Sequence, residues 1–142
     1  MNTLRELKRS GQFSRLPELI PYSQFMGISV EQATGELLGK LAYHDDLIGN
    51  PSLPALHGGS LGALLESTAI FQILWETEIQ TLPKIVTITV DYLRSAKPVD
   101  TYARGFITKH GRRVVNVAVT AWQADRGKPV ATANVHFLVH PT

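Results

Sequence analysis

The segment from His57 to Glu76 constrains the possible folds more than any other part of this sequence. Its apolar residues occupy every face of a helix: Leu61, Leu64, Leu65, Ile70, Phe71, Ile73 and Leu74. A helix that is apolar nearly all round is buried nearly all round. The segment also contains glycines, hydroxyl residues and Glu66, a composition too polar for a membrane span. We therefore predict one long helix enclosed by the rest of the chain.

The segments on both sides of this helix have the two-residue periodicity of β-strands. Six strands are predicted, at residues 28–33, 36–43, 86–92, 99–109, 113–124 and 130–139. The alternation places Val86, Ile88, Val90 and Tyr92 on one face of the third strand, and Ala131, Ala133, Val135, Phe137 and Val139 on one face of the last. The predicted fold class is α+β: two strands, a loop over residues 44–56, the helix, and a four-strand meander, giving an antiparallel sheet with one helix laid across it.

The N-terminal residues have a helical rather than a strand-like pattern. Residues 2–9 are predicted to form a short helix that ends at Gly11, and residues 16–20 a further helical turn stopped by Pro21. A chain of 142 residues fits one domain. We therefore expect a single domain over residues 1–142, with residues 1–21 as a helical extension.

The composition excludes several classes of function. There is no cysteine, so disulfide scaffolds, thiolate metal sites and cysteine nucleophiles are excluded. A formal net charge of +2 is too balanced for a dedicated nucleic-acid binder, and no Walker or Rossmann glycine pattern indicates a nucleotide cofactor. His44, Asp45 and Asp46 are adjacent, so their side chains diverge and no metal site is predicted. The first ten residues contain no signal peptide, so we expect a cytoplasmic protein that binds no membrane.

Two features of the long helix indicate chemistry. Gly58 and Gly59 open it, and a helix N-terminus presents unpaired N–H groups that can stabilise an oxyanion. Glu66 lies mid-helix among small and apolar residues, where burial favours a raised pKa and a role as general base or nucleophile. The structural alternatives are a helix start packed tightly on the sheet, and a glutamate bonded to a neighbouring element.

The spacing of these residues predicts an oligomer. Gly58 and Glu66 are eight residues apart, which is about 12 Å along a helix. One substrate carbonyl cannot contact both residues of one chain. If both act on the same carbonyl, the helix N-terminus of one subunit must approach Glu66 of a second, which predicts a two-fold dimer.

The sequence resembles the hotdog-fold acyl-CoA thioesterases of the PaaI type and the related 4-hydroxybenzoyl-CoA thioesterases. The resemblance covers roughly residues 22–140. It rests on the HGG at residues 57–59 with an acid nine residues after the histidine, on DYLRSAKP at residues 91–98, and on the HGRR turn at residues 110–113. It implies an antiparallel sheet wrapped around the long helix, in dimers or dimers of dimers that hydrolyse an acyl-CoA to free acid and coenzyme A.

The resemblance also implies roles for individual residues. The Gly58 N–H would polarise the thioester carbonyl, Glu66 would be the nucleophile or the base that activates water, and His57 would hold the loop around the carbonyl. The residues implied for coenzyme A binding are Gly59, Leu93, Arg94, His110, Gly111, Arg112 and Arg113. No cofactor is implied beyond the coenzyme A of the substrate, and no metal.

Two departures from the family pattern leave alternatives open. Many relatives have Asn or Gln six residues before the histidine, where this chain has Pro51; Asn50 is the candidate to replace it as a catalytic residue. Some relatives have Ser or Thr four residues after the acid, where this chain has Ile70. One alternative is a hydratase or dehydratase of acyl thioesters, which would pair a histidine with an acid. The other is an acyl-CoA-binding protein without turnover.

Overall fold

A six-stranded antiparallel sheet wraps around one long helix in the computed structural model, which describes residues 3–140. The strands are β1 (Ile28–Ala33), β2 (Glu36–Leu41), β3 (Lys84–Tyr92), β4 (Thr101–His110), β5 (Val114–Trp122) and β6 (Ala131–Leu138). The helices are α1 (Leu4–Ser10), α2 (Pro21–Met26) and the 19-residue α3 (Gly58–Glu76). The architecture is the hotdog fold, and the predicted fold class is confirmed.

The helix α3 is buried by the concave face of the sheet. It contacts all six strands, and residues on several of its faces are fully buried, among them Leu64, Phe71 and Leu74. The sheet approaches it so closely that a Cβ on Gly39 of β2 would lie 2.1 Å from Thr68 Oγ1, so only glycine fits there. The burial predicted from the apolar composition of this segment is therefore confirmed.

The order of strands in the sheet differs from the predicted meander. It is β1-β2-β4-β5-β6-β3, so only the last three strands of the chain form a meander, and β3 pairs with the last strand at the far edge. The prediction was wrong because alternation identifies a strand, whereas its neighbours depend on hydrogen bonds that alternation does not encode. β3 is therefore an edge strand, and its end lies beside the N-terminus of α3.

A bulge in β3 changes which side chains face the core. The register shifts between Ile85 and Thr87, so Val86 is an extra residue and is 55% exposed instead of facing inward. Ile88 and Val90 are half-buried, and Tyr92 is exposed at the end of the strand. The predicted inner face of the last strand is confirmed, with Ala131, Ala133, Val135, Phe137 and Val139 all buried.

The N-terminal region packs on the sheet and on the C-terminal end of α3. The predicted first helix ends at Gly11 as expected, while the first of its predicted residues, residue 2, lies outside the described part of the chain. The predicted helical turn does end before Pro21, at Leu19, and Pro21 then begins α2, a helix that was not predicted and in which a proline at the first position loses no hydrogen bond. A 3₁₀-helix, Phe13–Leu19, fills the place of the predicted helical turn.

Lys8 joins α1 to the end of α3. Its Nζ donates to the carbonyls of Thr77, at 2.8 Å, and Ile79. Burial lowers the pKa of Lys8.

Within residues 3–140, no helix combines the length and the apolar character needed to cross a bilayer.

Candidate active site

The first turn of α3 carries a backbone N–H group without a partner. His57 is the N-cap, and its Nδ1 accepts the Gly59 N–H at 2.8 Å, so this ring nitrogen is occupied by capping. The Gly58 N–H has no acceptor among residues 3–140. A free N–H at the positive end of a 19-residue helix can bind an anionic oxygen.

Tyr92, at the end of β3, packs against this turn. Its Oη donates to the Gly58 carbonyl at 2.9 Å, and a Cβ built on Gly58 would lie 3.2 Å from two of its ring carbons. A side chain at position 58 would therefore press on the Tyr92 ring. The ring lies between two open clefts, each of which it helps to line.

We call these the acid cleft and the glycine cleft. The acid cleft has a volume of about 370 Å³ and is lined by Tyr22, Gly59, Gly62, Ala63, Glu66, Ser67, Ile88, Val90 and Tyr92. The glycine cleft has a volume of about 400 Å³ and is lined by Ala55, Leu56, Gly58, Leu61, Tyr92, Leu93, Arg94, Ser95 and Ala96. Tyr92 is thus common to the lining of the cleft that contains the candidate acid and of the cleft that contains the candidate oxyanion donor.

Glu66 carries a half-buried carboxyl group, and no hydrogen bond or ion pair within residues 3–140 offsets the cost of burying its charge. No side chain or backbone group in residues 3–140 donates a hydrogen bond to it or forms an ion pair with it. Burial therefore raises the pKa of Glu66. A carboxylate that is partly desolvated and free of partners is available as a base or a nucleophile.

One chain brings together only some of the predicted site residues. Leu93 and Arg94 share the glycine cleft with Gly58, and Gly59 shares the acid cleft with Glu66. By contrast, His110, Gly111 and Arg112 line a third cleft with Glu78, which follows the C-terminal end of α3. That end is roughly 28 Å from the Gly58 end, at 1.5 Å per helical residue. Arg113 lies in the same β4–β5 turn, and its carbonyl accepts the Val139 N–H at 2.8 Å.

Asn50 lies in the loop before α3, outside both clefts. Its Oδ1 accepts the Ser52 N–H at 3.0 Å, so the side chain stabilises a local turn. An isolated bridge between Ile48 and Leu56 closes this loop, and the His57 N–H donates to the Leu47 carbonyl at 2.8 Å. The loop thus anchors the start of α3.

Sequence reasoning missed the tyrosines of the acid cleft. Alternation places Tyr92 on one face of a strand, but it cannot show that the ring and the hydroxyl reach the turn at Gly58. Tyr22 reaches the cleft from α2, a helix that the sequence patterns did not predict. The available signal for Tyr92 was its position in the DYLRSAKP motif at residues 91–98, directly before Leu93 and Arg94.

The sequence of the central region identifies the family. Residues 53–130, more than half of the chain, match the sequence model of the thioesterase superfamily. The chain belongs to the thioesterase superfamily. Membership supports hydrolysis of an acyl thioester as the activity of this protein.

Solved structures of several other proteins are similar to this chain. A protein from Chromobacterium violaceum is 37% identical, with 95% of this chain and 94% of that chain covered and a TM-score of 0.76. A phenylacetic acid degradation-related protein from Ralstonia eutropha is 25% identical, with 89% and 98% covered and a TM-score of 0.75. Thioesterase superfamily member 2 from Mus musculus, at 17% identity, 92% and 96% coverage and a TM-score of 0.74, shares the fold. The predicted resemblance to PaaI-type thioesterases is confirmed. No curated protein matches this chain significantly.

The environment of Glu66 predicts how this thioesterase-superfamily protein responds to pH. Because burial raises the pKa of Glu66, the folded state keeps its proton to higher pH than the unfolded state does. The contribution of Glu66 to the free energy of unfolding is therefore present at low pH, where the carboxyl group is protonated. It is lost as pH rises through the raised pKa. Glu66→Gln removes the charge, so we expect a higher thermal midpoint than wild type at neutral pH and above.

The comparison is made by thermal unfolding across pH. The two midpoints should converge below the ordinary pKa of a glutamate. Glu76→Gln, at an exposed position on the same helix, controls for the loss of a glutamate charge on α3. A Glu66→Gln protein that is less stable than wild type above neutral pH would contradict the prediction.

Proposed function

We propose that this protein hydrolyses an acyl-CoA thioester to the free acid and coenzyme A. The observation that carries the proposal is the pairing of a half-buried, unpartnered Glu66 with an unoccupied Gly58 N–H on either side of Tyr92. The first group can deliver an activated oxygen, and the second can stabilise the charge that develops on the carbonyl.

The reaction requires an attacking oxygen, an oxyanion donor and a proton for the leaving thiolate. In the general-base form, Glu66 takes a proton from water while the water oxygen bonds to the thioester carbon. The carbonyl oxygen becomes negative and accepts the Gly58 N–H at the positive end of α3. The intermediate collapses with cleavage of the C–S bond, and the thiolate takes the proton from Glu66.

In the nucleophilic form, a Glu66 oxygen attacks the carbonyl carbon directly. The thiolate leaves, and an acyl-glutamyl anhydride remains on the protein. Water then hydrolyses this anhydride, which releases the acid and regenerates the Glu66 carboxylate, and the proton lost from the water converts the thiolate to the thiol. Both forms use the same two groups of the protein, and both require a deprotonated Glu66.

A shared site across a dimer follows from the spacing of these groups. Glu66 is two helical turns beyond Gly58, about 12 Å along α3. Within the described residues, β3 pairs with β6 on one side and with no strand on the other. Its exposed Val86 and Tyr92, and Leu93 just after it, are apolar surface that a second subunit would cover. Pairing along β3 would extend the sheet and place the N-terminus of one α3 near the other subunit.

The glycine cleft is the proposed start of the coenzyme A track. Leu93 offers apolar surface there, and Arg94 offers a guanidinium suited to phosphates. The HGRR turn (residues 110–113), which lies at the other end of α3, would reach the same substrate only from another subunit. The proposed partners are therefore the acyl-CoA and a second copy of the chain, with no cofactor or metal required.

The lining of the acid cleft predicts the charge of the acyl group. Apart from Glu66, its residues are tyrosines, aliphatic residues and small residues, and none is cationic. A carboxylate on the acyl group would face Glu66 without a counter-ion. We expect release of free thiol from uncharged benzoyl-, phenylacetyl- or hexanoyl-CoA, and release from succinyl-CoA that is slower by about 10-fold or more.

Colorimetric detection of free thiol over this panel tests the proposal. Tight binding of acyl-CoA without thiol release from any member would overturn it in favour of a binding protein. Conversion of an enoyl-CoA to its hydroxyacyl form would instead favour the hydratase. Equal rates with succinyl-CoA and the uncharged substrates would contradict the assignment of the acid cleft to the acyl group.

A further inference from the structure

We propose that Ser60 and Tyr92 are positioning residues that fix the Gly58 N–H as the oxyanion donor. The inference rests on the proposed function and adds to it two residues to which the sequence motifs assign no role. Glycine allows its flanking peptide planes to rotate freely, so a glycine N–H that must point at a substrate needs external restraint. Ser60 and Tyr92 supply it from the two sides of Gly58.

Ser60 holds the peptide that carries the donor. The carbonyl of His57 and the N–H of Gly58 belong to one planar peptide group, so fixing the carbonyl fixes the direction of the N–H. That carbonyl accepts the Ser60 N–H at 2.9 Å and the Ser60 hydroxyl at 2.6 Å. Ser60 is only 5% exposed, so water competes little for its hydroxyl.

Tyr92 holds the next peptide. Its Oη donates to the Gly58 carbonyl at 2.9 Å, and the N–H at the other end of this peptide, from Gly59, donates to His57 Nδ1 at 2.8 Å. Both peptides that meet at Gly58 are therefore restrained. Rotation of the donor away from the substrate would require breaking at least one of these contacts.

The Ser60 hydroxyl also acts on the electronic state of the donor peptide. When an oxyanion accepts a hydrogen bond from the Gly58 N–H, the peptide group becomes polarised. Negative charge then increases on the His57 carbonyl oxygen. Two donors from Ser60 stabilise that charge, because hydrogen bonds in a chain strengthen one another. The stabilisation is greatest in the transition state, so its loss lowers kcat and leaves KM unchanged.

Kinetics of single variants test the assignment. Ser60→Ala and Tyr92→Phe each remove one hydroxyl donor, so we expect kcat for an acyl-CoA to fall by about 3- to 10-fold. Ser60→Thr keeps the hydroxyl and should restore kcat towards the wild-type value. Thr77→Val is the matched control, because the Thr77 hydroxyl donates to the Ile73 carbonyl at 2.7 Å at the opposite end of α3. It should alter stability without lowering kcat.

A second readout does not depend on turnover. Backbone ¹⁵N relaxation of the Gly58 amide should show greater mobility in Ser60→Ala and Tyr92→Phe than in wild type and Thr77→Val. Unchanged Gly58 relaxation in both variants would overturn the positioning role, whatever the activity. If the proposed function is wrong, the result will be different: the wild-type protein will release no thiol. The Gly58 amide will still be more mobile in Ser60→Ala and Tyr92→Phe than in wild type.

Discussion

Glu66→Gln is expected to lower the rate of thiol release by about 10²- to 10⁴-fold, the range typical for removal of a general base. Glutamine has nearly the same shape as glutamate but cannot accept a proton from water or form an acyl anhydride. The acid cleft offers no other carboxylate, since Glu66 is the only acidic residue in its lining. Steady-state thiol release from the best acyl-CoA of the panel gives the comparison.

The matched control is Glu76→Gln, which changes the same functional group ten residues later on α3. Glu76 accepts a hydrogen bond from Gln72 at 2.6 Å, and a glutamine oxygen at the same position can still accept it. We therefore expect the control to keep wild-type activity. A Glu66→Gln protein that is folded and still releases thiol at the wild-type rate would exclude Glu66 from the chemistry.

The pH profile gives an independent check of the same residue. Because burial raises the pKa of Glu66, the active carboxylate forms only above the ordinary range of a glutamate. Wild-type kcat should therefore rise with pH through this raised pKa, while stability falls over the same interval. Loss of this rise in the residual activity of Glu66→Gln would assign the acidic limb of the profile to Glu66.

Most of the fold could be predicted from local sequence patterns. The helix from residue 58 to 76 was predictable because its apolar residues occupy every face, which requires enclosure by other elements. The strands β1 and β2 were predictable on either side of residues 34–35, and Gly35 in the turn between them adopts a left-handed φ of 71°. These features depend on residues close together in the chain.

The arrangement of β3 could not be predicted in the same way. Its pairing with β6 joins residues that are far apart in the sequence, and its bulge at Val86 is set by that pairing. The candidate site likewise has a part that depends on local sequence and a part that depends on contacts between distant residues. The glycines and Glu66 were visible as a motif, whereas the place of Tyr92 between the two clefts depends on β3 reaching the start of α3.

Gly58→Pro is expected to lower thiol release by about 10²- to 10³-fold, the effect typical of removing one oxyanion donor. Proline has no N–H, and the first helical position tolerates it well. His57 has φ −61° and ψ 134°, an extended conformation that is allowed before proline. Gly58→Ala is the matched control, since it places the same Cβ 3.2 Å from the Tyr92 ring but keeps the N–H.

Mixing inactive variants then tests whether two chains share each site. A dimer of one Gly58→Pro chain and one Glu66→Ala chain has one site with both defects and one with neither, if each site combines Gly58 and Glu66 from different chains. Equal mixing with free subunit exchange should therefore restore about a quarter of wild-type activity, since half of the dimers are mixed. Chains with different affinity tags verify the exchange.

The control for complementation replaces the Glu66→Ala chain with one that carries both substitutions. No mixed dimer then contains an intact site, so no activity should return. If Gly58 and Glu66 of the same chain formed the site, every site in the first mixture would carry one defect and recovery would be absent there too. Recovery in the first mixture alone requires that the N-terminus of one α3 meets Glu66 of the other chain, because about 12 Å of helix separates the two residues within either chain.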